Sequence, residues 1–390
     1  MDGPRAGRMF AMAIHGLAPL LGEEIAELDG AVVQDQGFDG RSDVVLFDLP
    51  PAYLEPAPPA RPQHARPQHG QNQNQHARNQ HGRAGRARPG RPMRLGLAED
   101  VFVEVGRTLR ADGDDPRWIA KRLWGQSRVQ RALAAWSALV GGHGHDPGYR
   151  VVVRVLQERS FLRSDLRREL TRMIKASHPR WRVQDPAPLE IWVSEYRPGR
   201  FVAGLRVSDL RLRQHGGRTA ERPGALRPTL AAAMVRQAGS PPGLLLDPCC
   251  GSGTLLAEGI AAGWTAYGSD IDTGAVKTAK RNVPKAHIGT GDVRHIDRPD
   301  GSVDACVSNL PFGQQFEVKG DMGDWLAAAL SEMTRVTRPG GRVVLLAPDV
   351  PRAAVPRGLR QTRTYRFRLL GTWTRLWCYD KKPGPATPDG

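Results

Sequence analysis

The stretch that most constrains this chain is Leu244–Thr254, which reads LLLDPCCGSGT. An apolar run ends in an acid, a Pro-Cys-Cys-Gly-Ser-Gly turn follows, and residues 255–262 are rich in alanine and leucine. This order is typical of a buried strand, a glycine loop and a helix. Such a loop brings bare backbone and a helix N-terminus close to a ligand.

Two phosphate-binding interpretations of this loop fit poorly. A dinucleotide fingerprint built on Gly251 and Gly253 requires a third glycine at position 256, which is Leu256. A phosphate loop requires Gly-Lys-Ser/Thr, and the stretch contains no lysine. An NAD-dependent enzyme is therefore only a distant alternative.

Three later motifs also end apolar runs: YGSDID at Tyr267–Asp272, Gly291-Asp292, and VDACVSNLPFG at Val303–Gly313. Strands alternating with helices predict a mostly parallel sheet, and ligands bind such sheets outside the carboxyl ends of the strands. The residues that fall at these ends are Asp247, Gly251, Gly253, Asp270, Asp292 and Asn309. Their convergence predicts one site.

The four motifs in this order resemble the class I S-adenosylmethionine (SAM)-dependent methyltransferases, over about residues 226–380. The resemblance implies an α/β, Rossmann-like domain with a mostly parallel seven-stranded sheet. Asn309-Leu-Pro-Phe312 resembles the (Asn/Asp)-Pro-Pro-(Tyr/Phe) signature of enzymes that methylate exocyclic base amines. Leu310 replaces the commoner proline. A similar Asn/Asp-Leu-Pro-Phe form occurs among THUMP-containing methyltransferases, and it favours guanine N2 over adenine N6.

The resemblance also implies a role for each residue that binds SAM. Asp247 would help to hold the methionine amino group, and Asp270 would accept both ribose hydroxyls, whereas Asp272 would start the next helix. Asp292 would hold the adenine amino group, with Val293 beside the ring. The predicted cofactor residues are Asp247, Pro248, Gly251, Gly253, Thr254, Asp270, Ile271, Asp292, Val293 and Asn309.

The predicted catalytic residues are Asn309, Leu310, Pro311 and Phe312. An exocyclic base amine is a poor nucleophile because its lone pair is delocalised into the ring. The Asn309 side-chain oxygen and a carbonyl at 310 or 311 can accept its two N–H bonds and orient the lone pair. Phe312 can stack on a flipped base. The acids that follow (Glu317, Asp321 and Asp324) are interpreted as solvated loop residues.

Charge indicates an anionic partner. The net charge is +16, and residues 151–225 hold 16 Arg and Lys against 8 Asp and Glu, half of the excess. The spacing predicts an amphipathic helix over 162–174. Its candidate phosphate contacts are Arg163, Arg167, Arg168, Arg172 and Lys175. A solvated helix face is the alternative for each of them.

The N-terminal residues predict a small α/β domain over 1–148, and the resemblance to THUMP-containing methyltransferases implies that this domain is ferredoxin-like. Its strands are expected at 8–14, 44–49 and 99–105, with helices at 17–28 and 115–139. Residues 50–92 are Pro, Gln, Asn, His, Arg and Gly with almost nothing apolar, which predicts a disordered insert. We interpret its histidines as part of a basic tether rather than as metal ligands.

Predicted strands at 149–156, 189–194 and 200–207 surround the basic helix. This layout is similar to the THUMP domain, which grips the acceptor end of tRNA in tRNA-modifying enzymes. The expected division is a THUMP domain at 149–210, a linker at 211–225, the methyltransferase domain at 226–380 and a disordered tail at 381–390. The whole chain, including Leu226-Arg-Pro-Thr229, resembles THUMP-domain tRNA guanine-N2-methyltransferases.

The four cysteines lack zinc-ligand spacing, and no apolar run is long enough to span a membrane. We therefore expect a cytoplasmic protein with no metal, no membrane contact and a monomeric state. The predicted function is SAM-dependent methylation of guanosine N2 in tRNA. The alternatives are a ribosomal RNA guanine-N2 or adenine-N6 methyltransferase, and a non-catalytic RNA-binding protein.

Overall fold

The computed structural model describes residues 7–37, 43–53, 95–109, 115–140, 146–156, 158–208, 212, 214–215, 224–311, 321–369 and 371–383. Four predictions lie wholly or largely outside these residues: the disordered insert beyond residue 53, most of the linker, the tail from 384, and the positions of Phe312 and Glu317. In the described part, no helix has the length and apolar character that a membrane span requires.

The N-terminal half forms one eight-stranded sheet in the order β2-β3-β1-β4-β8-β7-β5-β6. The apolar side chains of its strands alternate between two buried clusters, one on each face of the sheet. In one of them, Phe10 of β1 stacks on Phe102 of β4 with ring centroids 4.5 Å apart. The strands are β1 (Gly7–Met12), β2 (Val32–Asp35), β3 (Val44–Leu49), β4 (Asp100–Arg107), β5 (Gly148–Arg154), β6 (Arg182–Val183), β7 (Leu189–Arg197) and β8 (Arg200–Arg206).

The antiparallel pairing of β4 with β8 joins the two regions expected as separate N-terminal and THUMP domains. Both regions contribute four strands to one sheet. The expected boundary between residues 148 and 149 falls at the beginning of β5, inside this sheet. The pairing links residues about a hundred positions apart, so no local pattern indicates it.

The helices of this half are α1 (Ala18–Ala26), α2 (Pro116–Leu123), α3 (Gln126–Val140) and α4 (Arg163–Ser177). The single helix expected over 115–139 is wrong, since α2 ends at Leu123 and α3 begins at Gln126. Trp124 leaves the helical conformation, with φ −114° and ψ 79°, and Gly125 follows it. Asp115 caps α2 by accepting a hydrogen bond from the Arg117 amide at 2.9 Å.

The C-terminal half forms a seven-stranded sheet in the order β11-β10-β9-β12-β13-β15-β14. β15 alone runs antiparallel to its neighbours, so the mostly parallel seven-stranded sheet is confirmed. Its strands are β9 (Leu244–Asp247), β10 (Thr265–Asp270), β11 (His287–Thr290), β12 (Val303–Asn309), β13 (Thr337–Ala347), β14 (Leu359–Leu369) and β15 (Thr372–Lys381). Its helices are α5 (Pro228–Gln237), α6 (Thr254–Ala261), α7 (Thr273–Asn282) and α8 (Met322–Val336).

The two halves pack against each other through the β14–β15 hairpin and α5. Phe367 of β14 is fully buried in a core that also contains Leu17 from the N-terminal half. Two ion pairs lie across the same junction, Arg236 with Glu27 and Arg363 with Glu23, the latter at 3.1 Å. Exposed pairs of this kind stabilise a fold by little, so the apolar contact carries most of the association.

Gly16 tests this junction, because its φ of +90° and its close approach to β14 both require glycine. A Cβ atom there would lie 2.5 Å from the Arg366 carbonyl oxygen. We expect Gly16→Ala to lower the free energy of unfolding by more than the roughly 1–2 kcal/mol that the left-handed conformation costs. Gly371→Ala is the matched control, since Gly371 has φ +86° and open space around its added Cβ. Equal losses in urea unfolding would contradict a tight junction.

Candidate active site

The loop between β9 and α6 has two glycines in the left-handed region, Gly251 with φ +52° and Gly253 with φ +86°. They differ in their surroundings. A Cβ at Gly253 would lie 2.9 Å from the Val283 side chain, whereas one at Gly251 would meet nothing within 4 Å. Gly253 is therefore required for packing against α7. Gly251 instead presents bare backbone to open space, which fits a ligand lying against the loop.

The Asp270 carboxylate fixes the shape of this loop. One oxygen accepts the Gly251 amide at 2.8 Å, and the other accepts the Asp272 amide at 3.0 Å. Asp272 caps α7 by accepting from the Gly274 amide at 2.7 Å, which confirms that it starts the next helix. Ile271, between the two acids, is 69% exposed. An exposed apolar side chain beside a carboxylate fits a flat heteroaromatic ring with a polar sugar.

Asp247 lies at the end of β9 and is buried, with 1% of its surface exposed. It accepts hydrogen bonds from the Ser308 hydroxyl at 2.8 Å and the Cys249 amide at 3.1 Å. Burial raises its pKa to about 7, because the two donors only partly compensate for the lost hydration. Sequence reasoning missed Ser308. Its signal was a hydroxyl one residue before Asn309.

Asp292 has a different environment from Asp247. Its carboxylate is held by Arg294, with a shortest distance of 2.6 Å to the guanidinium, and also accepts the Arg294 amide at 2.9 Å. The hydrogen bonds from Arg294 lower the pKa of Asp292. Val293 is buried beneath the turn. Arg294 was not among the predicted residues, although its position two residues after an acid is a local signal.

Asn309 is the last residue of β12 and is half-buried. Within the described ranges, its side chain has no hydrogen-bond partner. Leu310 is buried among the residues that α8 covers, so its backbone rather than its side chain is available to a ligand, and Pro311 is half-buried. Phe312 lies outside the described residues. The segment resumes at Asp321, which caps α8 by accepting from the Asp324 amide at 3.0 Å.

The sheet order places these groups together. β10, β9 and β12 are neighbours and run parallel, so Asp270, Asp247 and Asn309 end adjacent strands at one edge. Asp292 follows β11 at the same edge. Pro248 is buried at the beginning of the loop, and Thr254 is the first residue of α6. The predicted cofactor residues thus surround one region of the structure.

The nearby cysteines do not supply a nucleophile. Burial raises the pKa of the Cys249 and Cys306 thiols well above the ordinary value, so both are protonated at neutral pH. Among the described residues, no group of three or more His, Cys, Asp or Glu side chains is placed to hold a metal ion. The groups that the described residues bring to the site are carboxylate, amide and backbone groups.

A second feature, the basic groove, lies between α4 and β5 and has a volume of about 1210 Å³. Leu166, Leu170 and Ile174 bury one face of α4. The opposite face presents two helical rows toward the groove, and these rows contain all five predicted phosphate contacts: Arg163, Arg167, Arg168, Arg172 and Lys175. Arg168 pairs with Asp165 at 3.1 Å and Arg172 with Glu169 at 3.0 Å. The other three have no carboxylate partner in the described part of the chain.

Residues 215–374 match the family described as RMKL-like, methyltransferase domain. The match covers 160 of the 390 residues, and the matched residues include the glycine loop, Asp247, Asp270, Asp292 and Asn309.

Similar proteins agree with this assignment. A bovine tRNA (guanine(6)-N(2))-methyltransferase THUMP3 is 34% identical over 148 residues, which is 33% of this chain and 29% of that protein. A tRNA (guanine(6)-N2)-methyltransferase from Thermus thermophilus is 30% identical over 173 residues, 40% of this chain and 50% of that protein. The chain therefore matches half or less of the length of these curated relatives.

Solved structures extend the fold similarity to nearly the whole chain. The crystal structure of TrmN from Thermus thermophilus has a TM-score of 0.66 at 21% identity and covers 96% of this chain and 99% of its own. A predicted N6-adenine-specific DNA methylase from Listeria monocytogenes has a TM-score of 0.62 at 15% identity, with 98% and 97% covered. At these identities, the likeness shows the fold alone.

The buried Asp247 gives a testable stability effect. Its folded-state pKa of about 7 exceeds the ordinary 3.8, so the carboxyl lowers stability as pH rises between these values. Asp247→Asn cannot ionise. We expect it to raise the unfolding free energy at pH 8, by up to a few kcal/mol, and much less at pH 5. Thermal denaturation at both pH values measures the difference.

Asp292→Asn is the control for this experiment. The Asp292 pKa is lowered, so its carboxylate contributes stability at neutral pH that the amide loses. At pH 8, the change in the free energy of unfolding should therefore be positive for Asp247→Asn and negative for Asp292→Asn. An Asp247→Asn variant that is less stable than the wild type at pH 8 would contradict the assigned cost of the buried charge.

Proposed function

We propose that this protein is a SAM-dependent RNA methyltransferase that transfers a methyl group to the exocyclic N2 of a guanosine in tRNA. The observation that carries the proposal is the Asn309 side chain at the end of β12, which has no hydrogen-bond partner among the described residues and lies beside a glycine loop bordered by Asp270 and Asp247. The names of the THUMP3 and Thermus relatives support the substrate class. A cytoplasmic location and a monomeric state are part of the same proposal.

The proposed SAM site uses the groups around the loop. When bound, SAM supplies an electrophilic methyl group. Asp247 would face its methionine ammonium, and the Gly251 backbone would border the methionine. Asp270 would accept ribose hydroxyls, because each of its oxygens retains a lone pair beyond its amide bond. Ile271 and Val293 would border the adenine, with Asp292 toward its amino group.

Asn309 would orient the nucleophile. Its side-chain oxygen can accept one N–H bond of the guanine amine, and a backbone carbonyl at 310 or 311 can accept the other. The lone pair is then directed away from the ring plane and toward the methyl group, so that positioning supplies the catalysis. The nitrogen becomes acidic once alkylated, and its proton can pass to solvent without a strong general base. Asn309 is an uncharged acceptor at this edge, and it has no competing hydrogen-bond partner among the described residues.

A second candidate differs in the RNA rather than in the chemistry. A bovine relative, 34% identical over 133 residues and matched over 26% of its own length, is named U6 snRNA (guanine-N(2))-methyltransferase THUMPD2. Ribosomal RNA and adenine N6 are the further alternatives. Leu310 beside Asn309 favours guanine N2. Nucleoside analysis separates the two bases, and methylation assays with each RNA separately distinguish the RNA substrates.

Asn309→Ala tests the catalytic assignment. Loss of the acceptor should lower kcat by at least ~100-fold, because the amine is no longer oriented, while the SAM dissociation constant stays within about twofold. Asn309→Asp is the conservative control, since it keeps an acceptor oxygen and should retain measurable activity. Methyl transfer from tritiated SAM and isothermal titration give the two readouts. Near wild-type turnover by Asn309→Ala would remove Asn309 from the mechanism.

Nucleoside mass spectrometry of an unmodified tRNA transcript, incubated with the protein and SAM, tests the function itself. We expect new N2-methylguanosine. N6-methyladenosine instead would overturn the base assignment. SAM binding with no methylation of tRNA would indicate another RNA substrate. No SAM binding would favour a non-catalytic RNA-binding protein.

The basic groove gives an independent prediction. Arg167→Glu with Arg168→Glu should weaken tRNA binding at least ~10-fold and reduce the slope of log affinity against log salt by about one to two units, because phosphate contacts release counterions. Arg352→Glu with Arg357→Glu, two exposed arginines of the methyltransferase domain, makes the same charge change outside the groove. Fluorescence anisotropy at several salt concentrations measures both. An unchanged slope in the first variant would exclude these residues from the interface.

A further inference from the structure

The β14–β15 hairpin carries an unusual set of side chains on one face. Arg368 lies directly opposite Trp373 in the register, and Arg366 lies opposite Arg375. Directly opposed residues share a face of the sheet, so these four residues form one surface, which we call the hairpin cluster. On the other face, Phe367 and Leu376 are buried in the core. The Phe367 face of the hairpin is therefore buried, whereas the opposite face is directed outward at the hairpin cluster.

Trp373, the aromatic residue of the cluster, is 44% exposed. The Arg366 guanidinium lies 4.2 Å from its ring centroid and the Arg368 guanidinium 5.1 Å away. Arg375 pairs with Asp349 at 3.2 Å. Neither Arg366 nor Arg368 has a carboxylate partner within the ranges that the structure describes. Two cations and an aromatic surface are thus presented to solvent together.

The register of the cluster disfavours stability. Arg366 and Arg375 face each other across the strands, and like charges in opposed positions destabilise a sheet. The cation–π contacts at Trp373 offset part of this repulsion, but at exposed sites each is weak. A bound anion between the arginines would relieve the repulsion directly. Asp349 already offsets the charge of Arg375, so the charges of Arg366 and Arg368 are the ones that a polyanion would meet.

The cluster lies at the same edge of the sheet as Asn309. Asn309 pairs in register with Leu346 of β13, and Leu346 pairs in register with Leu376 of β15. Trp373 is three residues beyond Leu376, toward the carboxyl ends of the parallel strands. Trp373 therefore lies two strands away from Asn309, which is about 10 Å across the sheet, and three residues further along the strand direction, which is about another 10 Å.

The hairpin cluster lies on the same face of the sheet as α8. Trp373, Arg375 and Trp377 occupy every second position of β15 and so share one face. Trp377 is buried in the core under α8. The chain that follows Asn309 returns to that face as α8. Asn309 is in register with Leu346 and Leu376, which lie on the opposite face, so RNA that presents a base to Asn309 would reach the hairpin cluster by passing over the end of the sheet.

We propose that the hairpin cluster is a second RNA contact, in which Trp373 stacks on an unpaired base near the target and Arg366 and Arg368 bind the adjacent phosphates. Base stacking on an exposed aromatic ring tolerates any sequence, and arginine adds phosphate and cation–π contacts. The contact rests on the proposed function for its partner, RNA. It would hold the strand beside the flipped guanosine, separately from the basic groove.

Trp373→Ala and Arg368→Glu test the proposal in the full-length protein with an unmodified tRNA transcript. We expect each to raise the KM for tRNA and the Kd from anisotropy about 10-fold, with the SAM dissociation constant unchanged. Arg368→Glu should also reduce the salt slope, whereas Trp373→Ala should leave it unchanged, because stacking releases no counterion. Trp373→Phe should recover most of the affinity.

Arg357→Glu is the matched control, because Arg357 is exposed and lies before the beginning of β14, at the opposite end of that strand. It should bind tRNA like the wild type. If Trp373→Ala and Arg368→Glu also bind like the wild type, the second contact does not exist, even where the wild type methylates tRNA. If the wild type binds tRNA without methylating it, the proposal of methyl transfer to tRNA fails. The comparison of tRNA binding by the wild type and the two variants still tests the second RNA contact. Wild-type protein that binds no RNA would overturn both.

Discussion

The carboxylate of Asp270 is the constraint on which the site depends. It joins the end of β10 to the loop that follows β9, through the Gly251 amide, and to the beginning of α7, through the Asp272 amide. The glycine loop is therefore shaped by the protein itself. A ligand that binds there meets a preformed surface and orders little backbone, which preserves its binding free energy.

Asp247 and Asp292 show how one residue type serves two purposes at a single sheet edge. Burial raises the pKa of Asp247, with only a hydroxyl and an amide to compensate, whereas Arg294 lowers the pKa of Asp292. Asp247 is thus a costly group that a cationic ligand would stabilise, and Asp292 is already satisfied by its neighbour. A ligand gains more electrostatic free energy at Asp247 than at Asp292, since the unpaired buried charge has more to recover.

The sequence predicts what depends on local pattern. Apolar runs that end in Asp247, Asp270 and Asn309 indicate parallel strands, and the helical spacing of four arginines and Lys175 places all five on one face of α4. Contacts between distant residues are not predictable in this way. The pairing of β4 with β8, the Ser308 hydrogen bond to Asp247 and the register of Arg368 with Trp373 arise from tertiary packing. The break between α2 and α3 was missed because the apolar spacing continues across Trp124-Gly125.

The packing of the two halves determines how the two basic surfaces can act together. The buried Phe367 contact belongs to the same hairpin that carries Trp373 on its opposite face, so the hairpin both joins the halves and extends the site. The basic groove lies on the sheet that contacts this hairpin through Gly16. Under the proposed function, RNA held at the groove would approach Asn309 along a path fixed by this core. Selection of the target nucleotide would then depend on its distance from the bound end of the RNA, because neither arginine surface requires a particular base.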